Sequence, residues 1–261
     1  MAELFEKVFN AQTIHEMLFF NIKSVLIHQN IDELITENES LWKRWSYLAK
    51  TKLSSKFPPE TDQQVIYEQR APYYPEFTRI VAITYATVYI DADTNSLKRY
   101  MKKIVNDDEL VVLSTFVNEL YLLSSEGTKS TPQFFPILCG HNVISHDIPH
   151  LVKKIIQYRS EFEKGIPLII KKCLVNKPWE SAVIDTVNVW KFNGYDNMPL
   201  MLISDYLGLK KTVDLVSLDE VSRTYWDIMQ YDEKKALEYV SLQSATQTNL
   251  VIQLMNNIRN L

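Results

Sequence analysis

The chain has 261 residues, 46% hydrophobic and 23% charged, the balance of a globular protein rather than of a disordered, collagenous or disulfide-stapled one. Its 28 lysines and arginines against 32 aspartates and glutamates leave a net charge of −4, which excludes a generally basic nucleic-acid coat protein but leaves room for a local basic groove. Two cysteines, Cys139 and Cys173, cannot build a disulfide framework or a four-thiolate zinc site within one chain.

No apolar run approaches the roughly 18 to 20 residues needed to span a bilayer. The opening MAELFEKVFNAQTIHEM carries acids and amides where a secretory signal has a basic and then an apolar stretch. A reducing, cytoplasmic setting without membrane contact is expected, or the host cytoplasm or virion if the chain is viral. Five glycines and ten prolines are too few for flexible linkers, so one domain is expected over residues 1–261.

Residues 22–31, IKSVLIHQNI, hold the apolar run Val25, Leu26, Ile27 and suit a buried strand running into a loop. Leu41, Trp45 and Leu48 then recur at helical spacing until Phe57-Pro58-Pro59, and a second helix is expected from Asp62 to Gln69. Together these make a helical insertion over residues 32–75. Arg79 to Ile90, rich in β-branched and aromatic residues, reads as a central strand, with Ser96 to Val105 folding back as its hairpin partner.

Asp107 to Leu123 is amphipathic and should pack on the sheet as a helix. Phe134 to Cys139 is a short buried strand, followed by GHNVISHDIPHLVKKIIQYR, a loop that becomes a helix with Asp147 at or near its N-cap and Pro149 in its first turn. Val183 to Val189 is a further strand. From Met198 onward the chain is helical in three pieces, the last over residues 232–257. This order predicts an α/β fold, a mixed sheet of about five strands flanked by helices, with the insertion after the first strand.

The segment CGHNVISHDIPHLVKK resembles the second motif of the DEDD 3'-5' exonucleases, whose fold is DnaQ-like, or ribonuclease H-like. Other stretches are similar, in the right order, to predicted exonucleases related to the proofreading domains of family B DNA polymerases. They are Tyr74-Pro75-Glu76-Phe77 leading into Arg79–Ile83, Lys177-Pro178-Trp179-Glu180, Ile184-Asp185-Thr186, Val189-Trp190-Lys191-Phe192, Tyr225-Trp226 and the final helix. The resemblance spans roughly residues 20–255 and is carried by the series rather than by one motif.

Such enzymes hold two divalent cations about 3.5 to 4 Å apart, and acidic ligands must neutralise that charge. The resemblance implies an aspartate and a glutamate two residues apart on the first strand; aligned on the apolar run, those positions fall on Ile27 and Gln29. The second motif keeps Asp147 after Gly140-His141-Asn142. The third keeps Tyr239, but the acid one helical turn later is Gln243. Asp147 is thus the single remaining metal-ligand candidate.

The implication is a catalytically degenerate exonuclease fold used as a structural or interaction module, for instance in a nucleoprotein or viral assembly, with a protein partner or a second copy and no cofactor. Two alternatives stay open: an active exonuclease on single-stranded DNA that uses Mg or Mn, and a noncatalytic binder of single-stranded nucleic acid. For the last, Asn142, Lys153, Lys154 and Trp179 are the candidate contacts.

Plainer roles compete at several positions. Asp147 suits an N-cap; Asp185 suits a hydrogen-bonding role at a strand end. Tyr239 suits a packed helix position with its hydroxyl at a cleft edge. His141, His146 and His150 with Asp147 offer an alternative transition-metal set, His146 and His150 being one turn apart. Ser145, His146 and Asp147 are consecutive and cannot form a hydrolase triad, whose members converge from separated positions. Trp42, Trp45 and Tyr47 suit a local core or a partner site on the insertion.

Overall fold

A computed structural model describes residues 13–91, 93, 96–124, 136–162, 164–175, 183–192 and 194–259. Its core is a five-stranded sheet of order β3-β2-β1-β4-β5. The strands are β1 (Met17–Leu26), β2 (Thr78–Ile90), β3 (Leu97–Val105), β4 (Ile137–Gly140) and β5 (Val183–Asp185). β2 runs antiparallel to both β1 and β3, while β4 runs parallel to β1 and β5 parallel to β4. The expected α/β class, with a mixed sheet and flanking helices, is what the chain forms.

β1 starts earlier than the apolar run suggests, at Met17, and all ten of its residues are buried. Alternation sends Leu18, Phe20 and Ile22 to one face of the sheet and Met17 and Phe19 to the other. The first face is covered by α4 (Glu109–Leu123) and α5 (Ile148–Gln157), the second chiefly by α10 (Glu233–Arg259). Between Lys23 and Ser24 the β1–β2 register shifts, so Val81 is an extra residue on β2 and lies with Ala82 on the same side.

The insertion between β1 and β2 is helical, as expected, with α1 (Ile31–Glu37), α2 (Glu39–Leu48) and α3 (Gln63–Arg70). Side chains of Asn30, Asn38 and Asp62 cap these helices by accepting from Glu33, Leu41 and Gln64 backbone N–H groups. The insertion has its own aromatic nucleus. Trp45 is fully buried, with ring centroids 5.3 Å from Tyr67 and 5.1 Å from Phe77, both edge to face. Trp45 is therefore core rather than a binding platform, whereas Tyr47 is exposed.

After the central sheet come α6 (Leu168–Val175), α7 (Thr186–Trp190), α8 (Leu200–Tyr206) and α9 (Leu218–Met229), ahead of α10. The strand expected over Val183–Val189 ends at Asp185, because Asp185 accepts from the Val187 N–H and caps α7. The three helices expected after Met198 are α8, α9 and α10. Among the described residues, no helix is long and apolar enough to cross a membrane.

Candidate functional site

A cleft of about 550 Å³ opens where β1, the β4–α5 loop and α10 meet, and Asn21, Lys23, His141, Asn142, Asp147 and Gln247 line its polar side. Residues 197–201 and 215–218 form much of the opposite wall. Each polar residue has a local reason to be there. Asn21 and Lys23 are two apart on β1, so both leave the sheet on the α10 face. Gly140 ends β4 where a Cβ would sit 2.2 Å from Val143 Cγ1 and 2.8 Å from the Phe20 carbonyl oxygen, a space only glycine fits. Asn142 takes left-handed backbone geometry at φ 64°, and the chain then winds one π-helical turn, Val143–Asp147, into α5.

Asp147 does not cap its helix. Its side chain reaches across to β1, where Oδ1 accepts from the Asn21 amide at 3.1 Å and from the Ile22 backbone N–H at 2.8 Å. The other carboxylate oxygen lies 3.5 Å from His146 Nδ1. The N-cap reading is thus corrected: helical geometry already holds at Asp147, and the carboxylate serves as a buried cross-link between loop and sheet.

Lys23 is the least expected member of the cleft. Its side chain is buried and its ammonium donates to Gln247 Oε1 at 2.6 Å. Burial lowers its pKa to about 8, with the nearby negative charge of Asp147 opposing the shift. The Asn21 side-chain oxygen Oδ1, also buried, has no hydrogen-bond partner among the described residues.

Asp185 supports the cleft from below. Its carboxylate accepts from Asn142 N–H at 2.8 Å, Ile144 N–H at 3.0 Å and Val187 N–H at 3.0 Å, so the hydrogen-bonding role expected of it is the one it has. Burial raises its pKa, against these three donors. His141 bonds through Nδ1 to Thr186 Oγ1 at 3.0 Å, and burial lowers its pKa to about 4, which leaves it neutral at pH 7. His150 is held at 3.1 Å by Thr78 Oγ1, and burial pushes its pKa well down.

Several expected positions lie elsewhere. Ile27 and Gln29 fall beyond the end of β1: the Ile27 N–H donates to the Phe77 carbonyl at 3.0 Å and the Gln29 N–H to Glu33 Oε2 at 2.8 Å. Gln29 borders a separate small cleft with Glu68, Asp219 and Trp226. Gln243 is buried but turned away, its amide donating to the Asp214 carbonyl at 2.9 Å; one turn later Gln247 is the residue that faces Lys23. Tyr239 packs toward α9 with its hydroxyl beside Thr224, not at the cleft edge.

The expected basic contacts also separate. Lys154 is buried and paired with Glu109 at 3.3 Å, so it cannot meet a strand of nucleic acid, while Lys153 is exposed and pairs with Glu76 at 3.0 Å. Asn142 does line the cleft; Trp179 lies outside the described residues. The His146 and His150 rings meet edge to face, centroids 5.4 Å apart, but a ring nitrogen of His150 is taken by Thr78 and one of His141 by Thr186. Among the described residues no group of three or more His, Cys, Asp or Glu side chains is placed to hold a metal ion.

Sequence reasoning missed Asn21, Lys23 and Gln247. The available signal was two polar residues at strand spacing, Asn21 and Lys23, inside the largely apolar MLFFNIKSVL. No family model, curated protein or solved structure matches the chain.

Proposed function

We propose that this chain is a ribonuclease H-like domain of the DEDD exonuclease type that works without catalysis, as an interaction module, its metal centre replaced by a network of its own side chains. The sheet order, with an antiparallel second strand and parallel fourth and fifth strands, is consistent with that fold. So is the loop after β4 that brings Asp147 to the middle of β1.

The observation that carries the reading is the buried ammonium of Lys23 in this cleft. Facing Asp147, β1 presents Asn21 and Lys23 two residues apart, the spacing at which the exonucleases carry two acids. A pair of divalent cations brings four positive charges, and an ammonium in the same pocket repels them rather than neutralising them. Asn21 offers a neutral oxygen, and Asp147 Oδ1 already accepts two N–H bonds. The donor set does not fit a two-metal centre.

The test is incubation of the purified protein with an end-labelled DNA single strand and Mg²⁺ or Mn²⁺. No shortening is expected, and Mn²⁺ should give no saturable heat in calorimetry. Shortening that Asp147→Ala abolishes would overturn the reading, and strand binding without shortening would redirect it to a single-strand binder.

A further inference from the structure

The outer edge of the sheet is β3, with sequence LKRYMKKIV. Its pairing with β2 runs from Ala82↔Val105 to Ile90↔Leu97 with no bulge. Two bonds set the phase of that ladder: Asp91 N–H to the Ser96 carbonyl at 2.9 Å and Asn106 N–H to the Val81 carbonyl at 3.1 Å. Hydrogen-bonded pairs recur every second residue in an antiparallel ladder, so Lys98, Tyr100, Lys102 and Ile104 spend their main-chain groups on β2. Leu97, Arg99, Met101, Lys103 and Val105 point theirs outward, where no partner meets them among the described residues.

A long, regular edge without bulge or proline is a template for another strand. Its side chains select which one. Among the described residues, Lys98 and Lys103 are exposed and have no ion-pair partner, and Arg99 is exposed and bonds only the neutral Asn249. Arg99 and Lys103 share the face toward α10, and Lys98 lies on the other face, so cations flank the open edge on both sides. Tyr100, largely exposed, adds an aromatic surface on the Lys98 side.

We propose that the β3 edge accepts an extended acidic segment of a protein partner as a sixth strand, main-chain bonds supplying the pairing and Lys98, Arg99 and Lys103 choosing acidic side chains. A second copy of this chain fits poorly. In the twofold antiparallel register with fullest overlap, centred on Met101, Arg99 of each copy stands opposite Lys103 of the other, and like charges directly across a ladder repel. A nucleic-acid backbone offers acceptors but no row of donors, which would leave the outward carbonyls unmet. The inference concerns the β2–β3 ribbon alone and does not rest on the reading of the cleft.

The experiment measures fluorescence anisotropy of a labelled heptapeptide of alternating glutamate and valine at low ionic strength, against the full chain. Saturable binding is expected, weakened at least about tenfold by Arg99→Glu combined with Lys103→Glu, and unchanged in Lys23→Met. A peptide N-methylated on alternate residues, so that it lacks the donors for one edge, should not bind; this arm uses the unaltered protein and does not depend on a variant folding. Absence of saturable binding, equal binding of the N-methylated peptide, or complete displacement by a thymidine oligonucleotide would overturn the proposal.

Discussion

The ammonium of Lys154 lies 3.3 Å from a carboxylate oxygen of Glu109, with only 1% and 4% of the two side chains left to water. Glu109 also accepts from the Ile80 backbone N–H at 2.6 Å and from the Tyr158 hydroxyl at 3.1 Å, so one carboxylate ties α4, α5 and β2 together. Removing one partner leaves the other charge buried and unpaired. Lys154→Met is therefore expected to cost about 3 to 5 kcal/mol in urea unfolding. The double change Lys154→Met/Glu109→Gln should cost less than the sum of the two single ones, because no isolated charge remains. A loss under about 1 kcal/mol for Lys154→Met would mean that the pair is solvated.

Lys23 gives the fold a pH dependence of definite sign. Its pKa is about 8 in the folded chain against an ordinary 10.5, so between those values the unfolded chain binds more protons and stability rises with pH. Below pH 8 the penalty is complete, about 3 kcal/mol at roughly 1.4 kcal/mol per pKa unit. Lys23→Met should thus be more stable than the unaltered chain at pH 7, with the gap closing toward pH 10. Urea midpoints of both proteins across that range supply the check, and a gap that ignores pH would place the ammonium in water.

If the Lys23 charge is what keeps divalent cations out, exchanging it and Asn21 for acids should let them in. Asn21→Asp/Lys23→Glu is expected to gain saturable Mn²⁺ binding by calorimetry, with Asp147 as third ligand. Asn21→Asp alone keeps the ammonium and should gain none. Equal Mn²⁺ heats from the single and double variants would remove Lys23 as the cause.

Gly140→Ala tests the close approach at the end of β4. The Phe20 carbonyl that the new methyl group meets is backbone of the central strand and cannot swing aside. A loss of about 1 to 3 kcal/mol is expected, typical of overpacking. A neutral substitution would show that β4 shifts freely.

Asp185→Ala should loosen the cleft floor without touching its walls. Three N–H groups lose their shared acceptor, and the amides of Asn142 and Ile144 should exchange with deuterium markedly faster. Unaltered exchange would mean that water replaces the carboxylate at no cost.

The sheet and most helices could be read from the sequence because their signals are local: β-branched runs for β2 and helical spacing for α2 and α4. The register of the site could not. β1 is buried on both faces and carries one polar pair, Asn21 and Lys23, which the apolar run at Val25–Ile27 overshadowed, so the comparison with the exonucleases fell on Ile27 and Gln29 instead. That the pair sits opposite Asp147 is visible only once the loop after β4 packs against β1. Lys154 was legible in principle, standing three residues after Leu151 and four after His150, both buried, on the inward stripe of α5. Lys153, its neighbour, points outward, and composition alone cannot separate them.

The insertion leaves and rejoins the sheet at adjoining points, with Leu26 opposite Thr78 in the ladder and the Ile27 N–H on the Phe77 carbonyl. Because its aromatic nucleus closes around Trp45, the whole excursion is a graft on what would otherwise be a plain hairpin. Natural kin of this chain should therefore vary most in length between Leu26 and Thr78, trading the graft for a tight turn while the sheet beneath keeps its shape.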